Sequence, residues 1–99
     1  MKIYLDDVRP IPEGWVGCRW PNEVIVKLQN GGVTHLSLDH DLGDDKRGTG
    51  YDVLLWLEEK VAVEGFVPPK YIIVHSANVS AYKKMQLAIE RIRDFRRSE

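Results

Sequence analysis

The pattern of apolar and polar positions along the chain predicts four short strands and three helices. Each predicted strand is an apolar run bounded by glycine, proline or polar residues, and the four runs cover residues 2–5, 15–20, 33–38 and 71–74. Each predicted helix has apolar residues at helical spacing, and the three cover residues 22–29, the region between Thr49 and Gly65, and the region after Asn78. Strands that alternate with helices favour a mostly parallel sheet with helices on its faces.

The connection between the first two strands is the irregular part of this pattern. Residues 8–14 contain two prolines and a glycine, which predicts a loop and not a helix. A connection of about ten residues is shorter than a parallel crossover usually needs. We therefore expect this pair of strands to be joined by a taut loop or to run antiparallel.

Length and composition restrict the class of protein. A chain of 99 residues is expected to form one domain, residues 1–99. A domain of this size buries about 60 to 65% of the surface of its unfolded chain, so it needs no disulfide or structural metal to fold. Its 14 basic and 15 acidic residues nearly cancel, which argues against general DNA binding or membrane-surface binding through net charge. The single cysteine, Cys18, and the lack of a leader or spanning segment predict a cytoplasmic protein. The oligomeric state is left open.

Polar clusters directly follow three of the predicted strands. Asp6 and Asp7 follow the first strand, the Asp-His-Asp run at residues 39–41 follows the third, and the His-Ser-Ala-Asn run at residues 75–78 follows the fourth. If these strands are parallel, the clusters converge at the carboxyl edge of the sheet, where open α/β sheets bind their ligands. We expect a hydrophilic, catalytic cleft at this edge.

The acidic residues of these clusters predict a site for a divalent cation. Two carboxylates about 4 Å apart repel each other by on the order of 4 kcal/mol at an effective dielectric constant near 20, and a cation offsets that repulsion. Mg²⁺ or Mn²⁺ is favoured over Zn²⁺ because the carboxylates outnumber the histidines. The predicted ligands are Asp6, Asp7 and Asp39. The alternative is that each acidic doublet is a solvated turn.

Two histidines are candidates for proton transfer. His40 and His75 each lie next to or near the end of an apolar strand, and an imidazole titrates near neutral pH. Asp41 would orient a histidine or add a metal ligand, so the predicted catalytic residues are His40, His75, Asp39 and Asp41. The alternative for either histidine is a partly buried side chain that is hydrogen-bonded to the backbone.

Neutral and basic residues near the same edge are candidates for holding an anionic substrate. Ser76, Asn78 and the first amides of the last helix offer hydrogen-bond donors to a phosphate. Arg9 could bind the same anion, or it could form a salt bridge with Asp6 or Asp7. The predicted substrate-binding residues are thus Arg9, Ser76 and Asn78.

Trp15 and Trp20 are the aromatic residues that could stack on an unpaired base. Packing against the core is the alternative for both, and it is favoured because large aromatic side chains are usually at least partly buried.

Four motifs give nearly the whole chain a resemblance to a known family. LDDVRP, SLDHDLG, the helix start GTGYDVLLWLEE, and VHSAN resemble the cyclic-phosphate-processing receiver domain family. The resemblance implies a reduced, receiver-like (flavodoxin-like) three-layer sandwich, with a small, mostly parallel four-stranded sheet that lacks the last receiver strand and its lysine. It also implies that Asp6 and Asp7 bind metal, that Asp39 ends the central strand, and that Ser76 is the hydroxyl residue of a later strand.

The residues and the resemblance together predict the metal-dependent hydrolysis of a phosphoester. The resemblance ties the two histidines to a cyclic phosphate, which would be carried by a nucleotide or an RNA end. A binding protein without catalysis, such as a nucleotide sponge or a regulatory receiver-like module, is the main alternative. A phosphoacceptor role for Asp39 is disfavoured because the usual lysine is missing.

Overall fold

The computed structural model describes residues 1–97 and contains a four-stranded sheet and three helices. The elements in chain order are β1 Lys2–Leu5, β2 Val16–Cys18, α1 Pro21–Asn30, β3 His35–Leu38, α2 Gly50–Glu64, β4 Tyr71–Val74 and α3 Val79–Arg97. Each predicted element is therefore present, although β2 and β3 are each shorter than the predicted runs. None of the helices within residues 1–97 has the length and apolar character to cross a membrane.

The sheet is parallel throughout, with the strand order β2-β1-β3-β4. Of the two arrangements expected for the first connection, the taut loop is the one found. This loop lies against the sheet, because a Cβ at Gly17 would be only 2.7 Å from Cγ1 of Ile11. The absence of a side chain at Gly17 lets the loop pass closely over β2.

The hydrophobic core lies on one face of the sheet, between the strands and the helices. Four strand residues on this face are fully buried, namely Ile3, Leu5, Leu36 and Leu38. They form one cluster with buried residues of all three helices, namely Val24, Leu28, Val53, Leu54, Leu57, Val61, Met85, Ala88, Ile89 and Ile92. Helix α2 packs against both α1 and α3. All three helices therefore form a single layer.

The opposite face of the sheet carries no helix within the described part of the chain. Tyr71 and Ile73 point to this face and are 46% and 49% exposed. Ile11 and Trp15, in the loop between β1 and β2, lie against it. The receiver-like α/β class and the four-stranded sheet are confirmed, but the expected third layer is wrong. The loop between β1 and β2 contains Pro and Gly and is too short to supply the missing helix.

Capping residues fix the start of the two helices that follow the site strands. The carboxylate of Asp52 accepts a 2.8 Å hydrogen bond from the backbone N–H of Thr49, and Oδ1 of Asn78 accepts one of 3.1 Å from Ala81. Gly50, the first residue of α2, packs directly on the end of β3, since a Cβ there would overlap the carbonyl oxygen of Asp39. Only glycine allows this close approach.

Candidate active site

Three of the predicted site residues converge at the carboxyl edge of the sheet. Asp6, Asp39 and His75 each follow a strand by one residue, and the strands concerned, β1, β3 and β4, are neighbours. Each residue offers one ligand atom, and the three atoms lie within 4.8 Å of one another. The two carboxylates are buried and the imidazole is half-buried. Parallel pairing thus creates a compact group of two acids and one histidine.

Asp6 is held by hydrogen bonds to both of its carboxylate oxygens. Oδ1 accepts bonds from the backbone N–H groups of Val8 and Arg9, at 2.9 and 2.8 Å. Oδ2 lies 3.0 Å from Nη1 of Arg9 and 3.0 Å from Nε2 of His75. Burial raises the pKa of Asp6, but these backbone and side-chain hydrogen bonds outweigh it and bring the pKa to about 2. Asp6 is therefore ionised at neutral pH.

Arg9 bridges the two buried acids. Its Nη1 atom lies 3.0 Å from Oδ2 of Asp6 and 3.6 Å from Oδ2 of Asp39. The side chain is 41% exposed, so one guanidinium reduces the repulsion between the carboxylates while part of it faces solvent. The salt bridge with Asp6, one of the two expectations for Arg9, is present, and the binding of an anion by Arg9 stays a prediction.

Asp39 is in a less favourable environment for a charge than Asp6. Its Oδ1 atom accepts a 2.8 Å hydrogen bond from the backbone N–H of His40. Burial and the nearby negative charge of Asp6 raise the pKa of Asp39, against the opposing effects of this hydrogen bond, His75 and Arg9. A cation placed between the acids would therefore favour the ionised form of Asp39 in particular.

His75 is oriented by contacts on both ring nitrogens and on one ring face. Nδ1 lies 2.7 Å from Oγ of Ser37, and the ring stacks on Tyr4 with centroids 4.3 Å apart and planes 6° apart. Since ionised Asp6 can only accept, Nε2 of the neutral ring carries the proton, and Nδ1 accepts from the Ser37 hydroxyl. Burial lowers the pKa of His75, although Asp6 opposes this, and the neutral ring is favoured.

Sequence reasoning missed Ser37 and Tyr4 as parts of this site. Both lie inside strands, two residues before Asp39 and Asp6 respectively. Because side chains alternate across a strand, residues two apart share a face of the sheet. A serine within the apolar run before Asp39 was the signal that could have revealed Ser37.

The second predicted histidine belongs to a separate polar cluster on the same edge. Nδ1 of His40 lies 2.8 Å from Oδ1 of Asp41, and this contact lowers the pKa of Asp41. Asn78 donates a 3.4 Å hydrogen bond to the other oxygen of Asp41, while the hydroxyl of Ser76 accepts a 3.1 Å bond from the backbone of Asn78. Asp41 thus touches His40, as the orienting role requires, and that role stays a prediction.

Asp7 points away from the converging group. Its Oδ2 atom lies 3.5 Å from the position that a Cβ at Gly43 would occupy, and its backbone carbonyl accepts a 3.3 Å hydrogen bond from Arg19. Asp7 lies in a bend at residues 7–9, where the backbone leaves the extended conformation of β1 and folds back on the carboxylate of Asp6. Asp7 is outside the group of three ligand atoms described above, and its role as a ligand stays a prediction.

Trp20 packs partly against the core and is flanked by arginines. The guanidinium carbons of Arg19 and Arg47 lie 4.8 and 4.0 Å from the centre of its ring. These contacts favour the packing role that was expected for Trp20 over stacking on a base.

A parallel sheet of this strand order, with acidic residues after its two central strands, defines a receiver-like α/β domain. The chain belongs to the cyclic-phosphate processing receiver domain family, whose model matches residues 1–91. No curated protein and no solved structure is similar enough to the chain to count as a match. The resemblance expected from the four motifs is confirmed, and the family links the chain to the processing of cyclic phosphates.

Proposed function

We propose that this domain hydrolyses a phosphoester with the help of a divalent cation, and that the substrate is a cyclic phosphate on a nucleotide or an RNA end. The convergence of Asp6, Asp39 and His75 within 4.8 Å carries the proposal. Membership of a family linked to cyclic phosphates supports the choice of substrate. We expect the reaction to take place in the cytoplasm, where the buried thiol of Cys18 stays reduced.

The donor atoms of the site fit Mg²⁺ or Mn²⁺. Asp6 and Asp39 would hold the ion, because Mg²⁺ typically binds one or two carboxylates and keeps several waters, and Mn²⁺ has similar preferences. Zn²⁺ is less favoured because carboxylate oxygens outnumber the single imidazole. When bound, the cation would polarise the phosphoryl oxygens of the substrate.

The protein's own groups would bind the phosphate and move the protons. Arg9, whose guanidinium is partly exposed, would donate hydrogen bonds to the phosphate oxygens. As water attacks phosphorus and the ring P–O bond breaks, His75 in its protonated imidazolium form would give its Nε2 proton to the leaving oxygen and return to the neutral ring. His40, held by Asp41, would accept the proton of the attacking water, and Asn78 and Ser76 would add neutral contacts.

Phosphorus NMR of 2′,3′-cyclic and 3′,5′-cyclic nucleotides with Mg²⁺ or Mn²⁺ tests this proposal. New phosphomonoester signals are expected. Reversible line broadening without new signals would contradict hydrolysis and favour sequestration, since the same contacts can hold a cyclic phosphate without cleaving it.

Variants of two site residues test the assignments. Asp39→Asn and His75→Ala are each expected to remove most turnover, because they change a cation ligand and a proton donor. Asp45→Asn, on the exposed loop before α2, makes the same chemical change as Asp39→Asn and serves as its control. Full activity in Asp39→Asn and His75→Ala would reject the roles given to them.

A further inference from the structure

The uncovered face of the sheet carries a continuous group of aromatic rings. Trp15 lies edge-on to Tyr4 and to His35, with centroid separations of 6.0 Å in both cases. His35 in turn stacks on Tyr71, with centroids 4.5 Å apart. We call Tyr4, Trp15, His35 and Tyr71 the aromatic strip.

The aromatic strip starts at the candidate active site. The ring of Tyr4 stacks on His75, one of the three converging residues. At the other end, Tyr71 lies four residues before His75 along β4, about 13 Å at the usual rise of a strand. Tyr71 and its neighbour Ile73 are 46% and 49% exposed. A ligand that touches both ends must therefore extend well beyond a phosphate group.

The charges beside the aromatic strip are positive. Nζ of Lys2 lies 5.8 Å from the centre of the Trp15 ring, and Nζ of Lys70 lies 5.4 Å from that of Tyr71. None of the residues in the four strands is acidic, so no strand places a carboxylate on this face. The face therefore combines stacking surfaces with cations, although the whole chain is nearly neutral.

We propose that this face binds the unpaired nucleotides of an RNA strand whose end lies in the active site. Aromatic side chains on an open sheet stack with bases, and lysines beside them attract the phosphate backbone. The placement of the RNA end rests on the proposed function, whereas the binding of the strand rests on the aromatic strip and the two lysines. The inference selects an RNA end, in preference to a free nucleotide, as the substrate.

A second copy of the chain fits this face less well than RNA. Two such faces packed together would bring Lys2 and Lys70 of both copies into one interface, where like charges repel. The strands supply no carboxylate to offset that repulsion. A polyanion, in contrast, is complementary to the same charges.

Fluorescence anisotropy with a labelled ten-nucleotide polyuridine RNA tests the inference. This probe ends in a 3′-hydroxyl, so its binding is measured without any turnover. Tyr71→Ala is expected to weaken binding about tenfold or more, and Tyr71→Phe to retain it, because the aromatic ring provides the stacking surface. Lys70→Gln is expected to reduce the slope of log affinity against log salt by about 0.7, the value for one lost contact to single-stranded nucleic acid.

Two exposed residues of α3 provide matched controls. Leu87→Ala removes an exposed apolar side chain, and Lys83→Gln removes an exposed charge, both on another part of the molecule. Neither change is expected to alter RNA binding. Because Tyr71 is half-exposed, we expect Tyr71→Ala to remain folded. Thermal denaturation of each variant checks that it is folded.

The outcomes separate this inference from the proposed hydrolysis. Absence of RNA binding by the wild-type protein, unchanged affinity in Tyr71→Ala, or an equal loss in Leu87→Ala would overturn the inference. A dimer in sedimentation that Tyr71→Ala dissociates, without RNA binding, would also overturn it and assign the face to a second copy. Binding that depends on Tyr71, in a protein that hydrolyses no cyclic phosphate, would retain the inference and reject the proposed hydrolysis.

Discussion

The hydroxyl of Ser37 contacts Nδ1 of His75 at 2.7 Å, across the neighbouring strands β3 and β4. Together with Asp6 on Nε2, it gives the imidazole a partner on each nitrogen. The ring orientation therefore depends on a residue in the middle of β3, away from the loops that supply the charged groups.

Ser37→Ala is expected to lower turnover about tenfold, within the range for losing a hydrogen bond that orients a histidine in a metal site. The free energy of unfolding should fall by about 1 kcal/mol, the usual contribution of one hydrogen bond. Steady-state kinetics and urea denaturation measure these two effects. Ser80→Ala, at an exposed position in α3, is the matched control. Reduced stability with unchanged turnover would show that Ser37 has only a structural role.

Asp6 is expected to make stability depend on pH in the acid range. The pKa of Asp6 falls from 3.8 in the unfolded chain to about 2 in the folded protein, so its ionised form stabilises the fold. This stabilisation is fully present above pH 4 and is lost as pH falls through about 2. The difference of nearly two pKa units corresponds to about 2 kcal/mol at neutral pH.

Urea denaturation of Asp6→Asn measures this contribution. Without added metal, the variant should be less stable than the wild type by about 2 kcal/mol at pH 7, with the difference shrinking toward pH 2. Asp45→Asn, on the surface, should show no such difference. A constant gap between Asp6→Asn and the wild type from pH 7 to pH 2 would contradict the titration.

Asp39→Asn is expected to have the opposite effect on stability in the absence of metal. Burial raises the pKa of Asp39 in the folded protein. The protonated form of Asp39 therefore stabilises the fold at pH values below the pKa of the unfolded chain, and this stabilisation is lost as pH rises through the pKa of the folded protein. At pH 7 with a chelator, the neutral amide should therefore give a higher Tm than the wild type.

Addition of Mg²⁺ or Mn²⁺ should reverse this order. Binding to the folded state raises the Tm of the wild type, whereas Asp39→Asn lacks one of the two proposed carboxylate ligands and should respond weakly. Calorimetric scans with and without metal measure both effects. An equal metal-induced rise in Tm for the two proteins would rule out Asp39 as a ligand.

Gly50→Ala is expected to destabilise the protein by about 3 kcal/mol, the upper part of the range for overpacking. The added Cβ would overlap the backbone carbonyl of Asp39, which cannot rotate away as a side chain can. Gly65→Ala provides the comparison. A Cβ at Gly65 would meet no atom within 4 Å, but the backbone there has a positive φ of 66°, which strains a residue with a side chain. Its cost should be about 1 to 2 kcal/mol. Equal losses in urea denaturation would contradict a special role for the close approach at Gly50.

Much of the fold could be predicted because local signals in the sequence agree with it. Asp52 and Asn78 cap the starts of α2 and α3 through local hydrogen bonds, and each of the four predicted apolar runs contains a strand. The course of the loop between β1 and β2 could not be predicted. It depends on the packing of Ile11 over Gly17, a contact between residues that are not neighbours in sequence.

The convergence of Asp6, Asp39 and His75 followed from their positions one residue after parallel strands. The direction of each neighbouring side chain was harder to predict. Asp7 lies in the bend after β1 and is outside the group of three ligand atoms, whereas Ser37 contributes because it shares a face with Asp39. Such distinctions depend on strand register and on where extended backbone ends, which apolar runs define only to within a residue or two.

The placement of all helices on one face of the sheet also has an evolutionary consequence. Residues that maintain the fold lie on one side, whereas exposed residues such as Tyr71 and Ile73 lie on the other. Substitutions on the second side change few buried contacts and should cost little stability. Relatives with this architecture could therefore diversify in what they recognise while inheriting the same scaffold.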